Sequence, residues 1–81
     1  MRVSICFYSY FKDLAGCKNT SEELAEGSTL GELLAKLKVR FPKLEPMRKS
    51  MLVAVGVEYQ DRSYALKGGD EVSLFPPVQG G

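Results

Sequence analysis

One stretch constrains this chain more than any other. In "STLGELLAKLKVRFP", residues 28–42, Thr29 and Glu32 have the spacing of a capping box, in which the hydroxyl caps a free amide and the carboxylate reaches back to the cap residue. Leu30, Leu33, Leu34, Leu37 and Phe41 recur at helical spacing on one side, and Pro42 stops the helix. The spacing therefore predicts a single main helix from Thr29 to Phe41 with one apolar stripe, which has to bury itself against something else.

The remainder of the chain supplies strands. Residues 2–11, "RVSICFYSYF", alternate strictly, with Val3, Ile5 and Phe7 on one face and Cys6, Tyr8 and Tyr10 on the other. "KDLAG" closes that strand, with Gly16 as the turn residue. "KNTSEELAEG" is ambiguous: Ser21-Glu-Glu-Leu could open a helix, yet the interval between Gly16 and Gly27 also suits a short strand. "MLVAVGVEY" is rich in β-branched residues and reads as a buried strand, followed by a short "YQDRSYAL" excursion, so that two or three strands follow the helix. "KGGDEVSLF" gives a turn and a last strand in which Val72 and Leu74 face one way and Ser73 and Phe75 the other. With 81 residues and 44% hydrophobic content there is room for one modest core. One helix covers one sheet face, so the expected class is a two-layer α+β domain.

Composition excludes several functions. Eleven Lys plus Arg against ten Asp plus Glu leave no strong field for nucleic acid or anionic lipid, so neither is expected as a partner. The alternating start lacks the apolar block of a signal peptide, and the longest apolar run, Met51 to Val57, is far short of a membrane span. A soluble, cytoplasmic protein is the expectation. Histidine is absent and Cys6 and Cys17 stand apart, so no Cys/His zinc site, and no metal, is expected. The two cysteines are read as free thiols in preference to a disulfide. No phosphate-cradling Gly-rich loop occurs, and no cofactor is expected on this chain. Lys36, Lys38, Arg40, Lys43, Arg48 and Lys49 crowd into a short interval; a solvated helix face is preferred over a docking site for an acidic partner.

With one sheet face under the helix, Tyr8, Tyr10 and Phe75 point out of the other. Exposed aromatics gathered on the first and last strands suggest a partner-binding face. Beside them the chain finishes "LFPPVQGG". Pro76 and Pro77 direct the backbone away from the last strand, and six extended residues reach on the order of 20 Å. Gly80 and Gly81 make a strip thin enough for a channel that excludes side chains, and Val78 and Gln79 connect it to the prolines. The expected organisation is a domain over residues 1–75 and an extended tail over 76–81. A Gly81 carboxylate is a poor electrophile, so it would first be converted to an acyl adenylate by a protein with an ATP site. Sulfur attack then gives a thiocarboxylate, and lysine attack gives an isopeptide.

Across its whole length the chain resembles the molybdopterin synthase small subunits, a family among the ubiquitin-like β-grasp sulfur carriers. The residues that carry the resemblance are the aromatic first strand with "KDLAG", "T-L-x-E-L-L", "LVAV", "L-K-G-G-D-E-V" and above all "FPPVQGG". It implies a mixed sheet of four to five strands with "TSEELAE" as the second. Gly56 and Gly68 stand where family members commonly have Asn and Asp, both read as turn positions. The resemblance further implies adenylation of Gly81 by a ubiquitin-activating-type enzyme using ATP, then thiocarboxylate formation from a sulfur donor protein. The charged carrier docks through Tyr8 and Phe75, with Tyr10 nearby, on the large synthase subunit, in a heterotetramer of two small and two large subunits. Pro76, Pro77, Val78, Gln79 and Gly80 thread the tail, and sulfur passes to cyclic pyranopterin monophosphate. In this scheme the chain is not catalytic alone. The alternatives are a sulfur carrier for thiamine thiazole or tRNA thiolation, and a ubiquitin-like protein modifier.

Overall fold

The leucine stripe finds its partner in a five-stranded mixed sheet. The computed structural model describes residues 1–47 and 51–77. The elements run β1 (Arg2–Phe7), α1 (Phe11–Ala15), β2 (Asn19–Glu23), α2 (Leu30–Arg40), a 3₁₀ turn (Pro42–Met47), β3 (Leu52–Val55), β4 (Glu58–Tyr59) and β5 (Glu71–Phe75). The sheet order is β2-β1-β5-β3-β4. β1 and β5 are parallel at its centre, with Ile5 beside Val72 and Phe7 beside Leu74. The other neighbours are antiparallel.

The helix begins as its sequence dictates. Thr29 is the N-cap, its hydroxyl accepting from the Glu32 amide at 3.3 Å while the Thr29 amide donates to the Glu32 carboxylate at 2.9 Å. Two further free amides of the first turn are satisfied by the 60–66 excursion: Leu30 N donates to Tyr64 O and Gly31 N to Arg62 O, both at 2.9 Å. A Cβ on residue 31 would stand 3.3 Å from that Arg62 carbonyl, which explains a glycine inside the first helical turn. Leu30, Leu33, Leu34 and Leu37 are buried against Val3, Ile5, Phe7, Val53, Val55, Val72 and Leu74. Phe41, the C-cap, is partly buried and packs edge-on to Phe7 with centroids 5.4 Å apart.

Three expectations change. The first strand does not run to Phe11: it ends at Phe7, and Ser9 takes a φ of 56°, which turns the chain into α1. Phe11 lies in phase with Val3, Ile5 and Phe7, so the turn still buries it in the core and the alternating pattern conceals the reversal. The stretch read as one strand over residues 51–59 is a hairpin. Gly56 adopts a φ of 63° while Val57 keeps a negative one, the pattern of a two-residue II′-type loop with Val57 in solvent. Of the Gly68–Gly69 pair, Gly69 holds the left-handed position at φ 87°, so the departure at Gly68 does not meet a backbone demand.

The ambiguous segment holds a strand, as the resemblance implied, but over Asn19–Glu23 and not across the whole of "TSEELAE": residues 24–26 lie beyond it. Arg40 and Lys36 of α2 hold it. Arg40 donates to the Glu22 carboxylate at 2.8 Å, to the Ser21 carbonyl at 3.0 Å and to the Thr20 hydroxyl. Lys36 reaches the Glu23 carbonyl at 3.0 Å, and Lys38 pairs with Glu45. Much of the basic cluster thus ties α2 to its neighbours instead of standing free in solvent; Arg48 and Lys49 lie outside the described residues.

Candidate functional site

β5 delivers the start of the tail from the middle of the sheet, between the end of β1 and the start of β3. The parallel ladder continues one step beyond β1, with Tyr8 N donating to Leu74 O at 3.1 Å. That bond sets Tyr8 beside Phe75 on the face away from α2. The two rings stack with centroids 4.7 Å apart and planes 14° from parallel. Phase alternation thus brought Tyr8 and Phe75 together as expected.

The same face holds a third aromatic that the sequence reading missed. Tyr59 of β4 meets Phe75 edge-on at 6.4 Å and is 68% exposed. Leu52 of β3 is paired with Phe75 in the register and Ala54 with Tyr59, which places both on this face. An apolar stripe of Tyr8, Phe75, Leu52 and Tyr59 therefore crosses the sheet at the root of the tail. Residues 53, 55 and 59 would share the core phase in an unbroken strand, and only the two-residue loop at Gly56–Val57 moves Tyr59 to the outer face. A Gly-X pair directly after the "LVAV" run was the signal available for it.

Tyr10 is elsewhere. It is the N-cap of α1, 44% exposed, and its ring packs edge-on to Phe11 at 5.3 Å. The turn at Ser9 separates it from the Tyr8–Phe75 stack, so it does not continue the strand face as the alternation predicted. Pro76 and Pro77 are half-buried where β5 ends. Val78, Gln79, Gly80 and Gly81 lie outside the described residues.

The polar surroundings of the stripe are mild. A surface concavity of about 240 Å³ beside Tyr8 is lined by Ser4, Cys6, Asn19, Glu71 and Ser73. The Cys6 side chain, above all, holds the Tyr8 phenol above its ordinary pKa, with the Ser73 hydroxyl acting against it. The phenol is therefore a neutral donor on this face at physiological pH. Cys6 and Cys17 are both free thiols, each partly exposed. Among the described residues no group of three or more His, Cys, Asp or Glu side chains is placed to hold a metal ion. None of the described helices is long and apolar enough to cross a membrane. The face offers an apolar surface beside Pro76 and Pro77, where β5 ends.

A mixed five-stranded sheet grasping one main helix, with its last strand central, is the ubiquitin-like β-grasp fold, and solved structures agree. SAMP1 of Haloferax volcanii superposes with a TM-score of 0.88 at 26% identity, over 100% of both chains. A Helicobacter pylori chain solved in the complex of subunits 1 and 2 of molybdopterin-converting factor gives 0.76 at 29% identity, again over 100% of both. The ThiS family model matches residues 5–81, and the chain belongs to the ThiS family. Among curated relatives, the molybdopterin synthase sulfur carrier subunit of Chlamydomonas reinhardtii is 33% identical over 100% of both chains. The Arabidopsis thaliana protein of the same name is 27% identical over 100% of this chain and 84% of its own length.

Proposed function

We propose that this chain is the sulfur carrier subunit of a molybdopterin synthase, working in the cytoplasm with Gly81 as the carrying residue. The observation that carries the reading is the aromatic stripe of Tyr8, Phe75 and Tyr59 beside Pro76 and Pro77, where β5 ends. The names of the relatives aligned along the full chain support it. An adenylating enzyme docks on the stripe, and a Gly81 carboxylate oxygen attacks the α-phosphorus of ATP, expelling pyrophosphate. Sulfide from a donor protein then attacks the acyl carbon and displaces AMP, leaving a thiocarboxylate.

The charged carrier next docks by the same stripe on a large synthase subunit, in an assembly of two small and two large subunits. Pro76 and Pro77 aim the tail, Val78 and Gln79 span the entrance, and Gly80 gives clearance in the channel. The thiocarboxylate sulfur bonds to a carbon of cyclic pyranopterin monophosphate. Water then cleaves the bond between that sulfur and the Gly81 acyl carbon, and Gly81 returns as a carboxylate while the sulfur stays on the substrate. Two such transfers make the dithiolene. Tyr10, set apart on α1, offers a second contact to the partner.

A protein-modifier reading draws on the likeness to SAMP1, named a small archaeal modifier protein. One experiment separates the two. The carrier is reconstituted with its adenylating enzyme, ATP, sulfur donor, large subunit and cyclic pyranopterin monophosphate, and molybdopterin is measured by the fluorescence of its oxidised product. Product formation supports the synthase reading. Thiocarboxylate without product moves the carrier to another pathway such as thiazole formation or tRNA thiolation, and isopeptides on cellular proteins without product favour the modifier.

A further inference from the structure

Among the described residues β2 is one edge strand of the sheet. Its hydrogen bonds to β1 use alternate residues: Phe7 N donates to Lys18 O at 2.8 Å, and Leu24 N to Met1 O at 2.8 Å. By the alternation of an antiparallel ladder, the amides and carbonyls of Asn19, Ser21 and Glu23 point away from the sheet. Such a row is a template for another strand. Two of its three outward carbonyls are already taken, that of Ser21 by Arg40 and that of Glu23 by Lys36, each at 3.0 Å. The two cations stand one turn apart on α2, and Arg40 is fixed further by Glu22 and Thr20.

The sequence of the strand would otherwise pair well with itself. In a two-fold antiparallel register centred on Ser21, Ser21 faces Ser21 of a second copy, Asn19 faces Glu23, and Thr20 faces Glu22. No carboxylate then lies opposite another carboxylate. Each Ser21 amide would donate to the opposing Ser21 carbonyl and each Asn19 amide to the opposing Glu23 carbonyl, the two acceptors that Arg40 and Lys36 occupy.

We propose that Lys36 and Arg40 guard a latent self-pairing edge: β2 is a homodimerisation surface for a second copy of this chain, held closed by these two side chains. The inference is independent of the sulfur-carrier reading, because it concerns the sheet edge remote from β4 and needs no tail chemistry.

The test compares the full chain with Lys36→Met/Arg40→Met, which keeps apolar stems and removes both donors, by sedimentation velocity over a concentration series. The parent is expected to remain a monomer, and the double variant to shift to twice the monomer mass with slowed exchange of the Ser21 amide. Adding Ser21→Pro removes an outward amide without touching the β1 ladder and should restore the monomer. A double variant that is folded by circular dichroism yet monomeric at every concentration overturns the proposal. So does a parent that already dimerises with a protected Ser21 amide, or a dimer that Ser21→Pro leaves intact. If the double variant unfolds, Lys36→Ala/Arg40→Ala, which also removes both donors and places the best helix former at each position, decides by the same readout.

Discussion

Phe75 belongs both to the β5 ladder and to the proposed docking face, and truncating it separates the two roles. Its ring lies 4.7 Å from Tyr8 in a stack and 6.4 Å from Tyr59 edge-on, while its backbone stays in the β5 ladder beside Leu52. Phe75→Ala removes the stacking, worth about 0.5–1.5 kcal/mol. It also removes the burial of a half-covered ring, about 1 kcal/mol on the usual area scale. The free domain should therefore melt roughly 6–20 °C lower and remain folded. Binding should suffer more, because an aromatic anchor buried at an interface contributes about 2 kcal/mol or more, which is a loss of about 30-fold in affinity. Tyr8→Ala should behave alike, and the double variant should lose less than the sum, since each ring presents the other. Calorimetric titration with the large synthase subunit measures the affinities, and circular dichroism melts measure the fold. Unchanged affinity for both single variants, in proteins that melt cooperatively, would refute the docking face.

Two further outcomes follow from the packing and the charges. Leu33 is fully buried beneath α2, so Leu33→Ala should destabilise by about 2–5 kcal/mol in a denaturant titration, whereas Val39→Ala at an exposed helix position should stay within about 0.5 kcal/mol. The Arg2 guanidinium, 2.8 Å from Glu23, lowers that carboxyl below its ordinary value of 4.5. A depressed folded pKa contributes stability above the unfolded value that disappears as pH falls through the folded one. The melting-temperature gap between the parent and Arg2→Ala should therefore be open at neutral pH, begin to narrow below about pH 4.5 and close as pH falls through the lowered folded pKa; a gap of equal size at pH 7 and well into acid would contradict the pairing.

The legible parts of this molecule are those where local chemistry and global packing agree. Thr29 and Glu32 announce the helix start, and the leucine stripe announces its buried face; both stand in the structure as written. The phases of β1 and β5 were readable because each strand is buried on one side only, which is why Tyr8 and Phe75 were placed on one face. Where two conformations give a residue the same burial, the sequence carried no warning. Phe11 reaches the core through a turn and a helix as it would have through a strand, so the reversal at Ser9 and the displacement of Tyr10 were hidden. β2 depends on pairing with β1 and on Arg40 and Lys36 from another element, neither of which is local. Tyr59 was lost because its phase inverts at a two-residue loop marked by a single glycine.

The central claim rests on Gly81, and the most direct measurement is intact mass. The parent and a variant lacking Gly81 are each incubated with the adenylating enzyme, ATP and a sulfur donor. The parent should gain about 16 Da as sulfur replaces oxygen, in an ATP-dependent manner. The truncated variant should melt as the parent does, because residues beyond Pro77 have few apolar groups with which to hold the core, and it should gain no mass. A parent that stays unmodified, or a truncated chain that takes up sulfur equally well, would contradict the account.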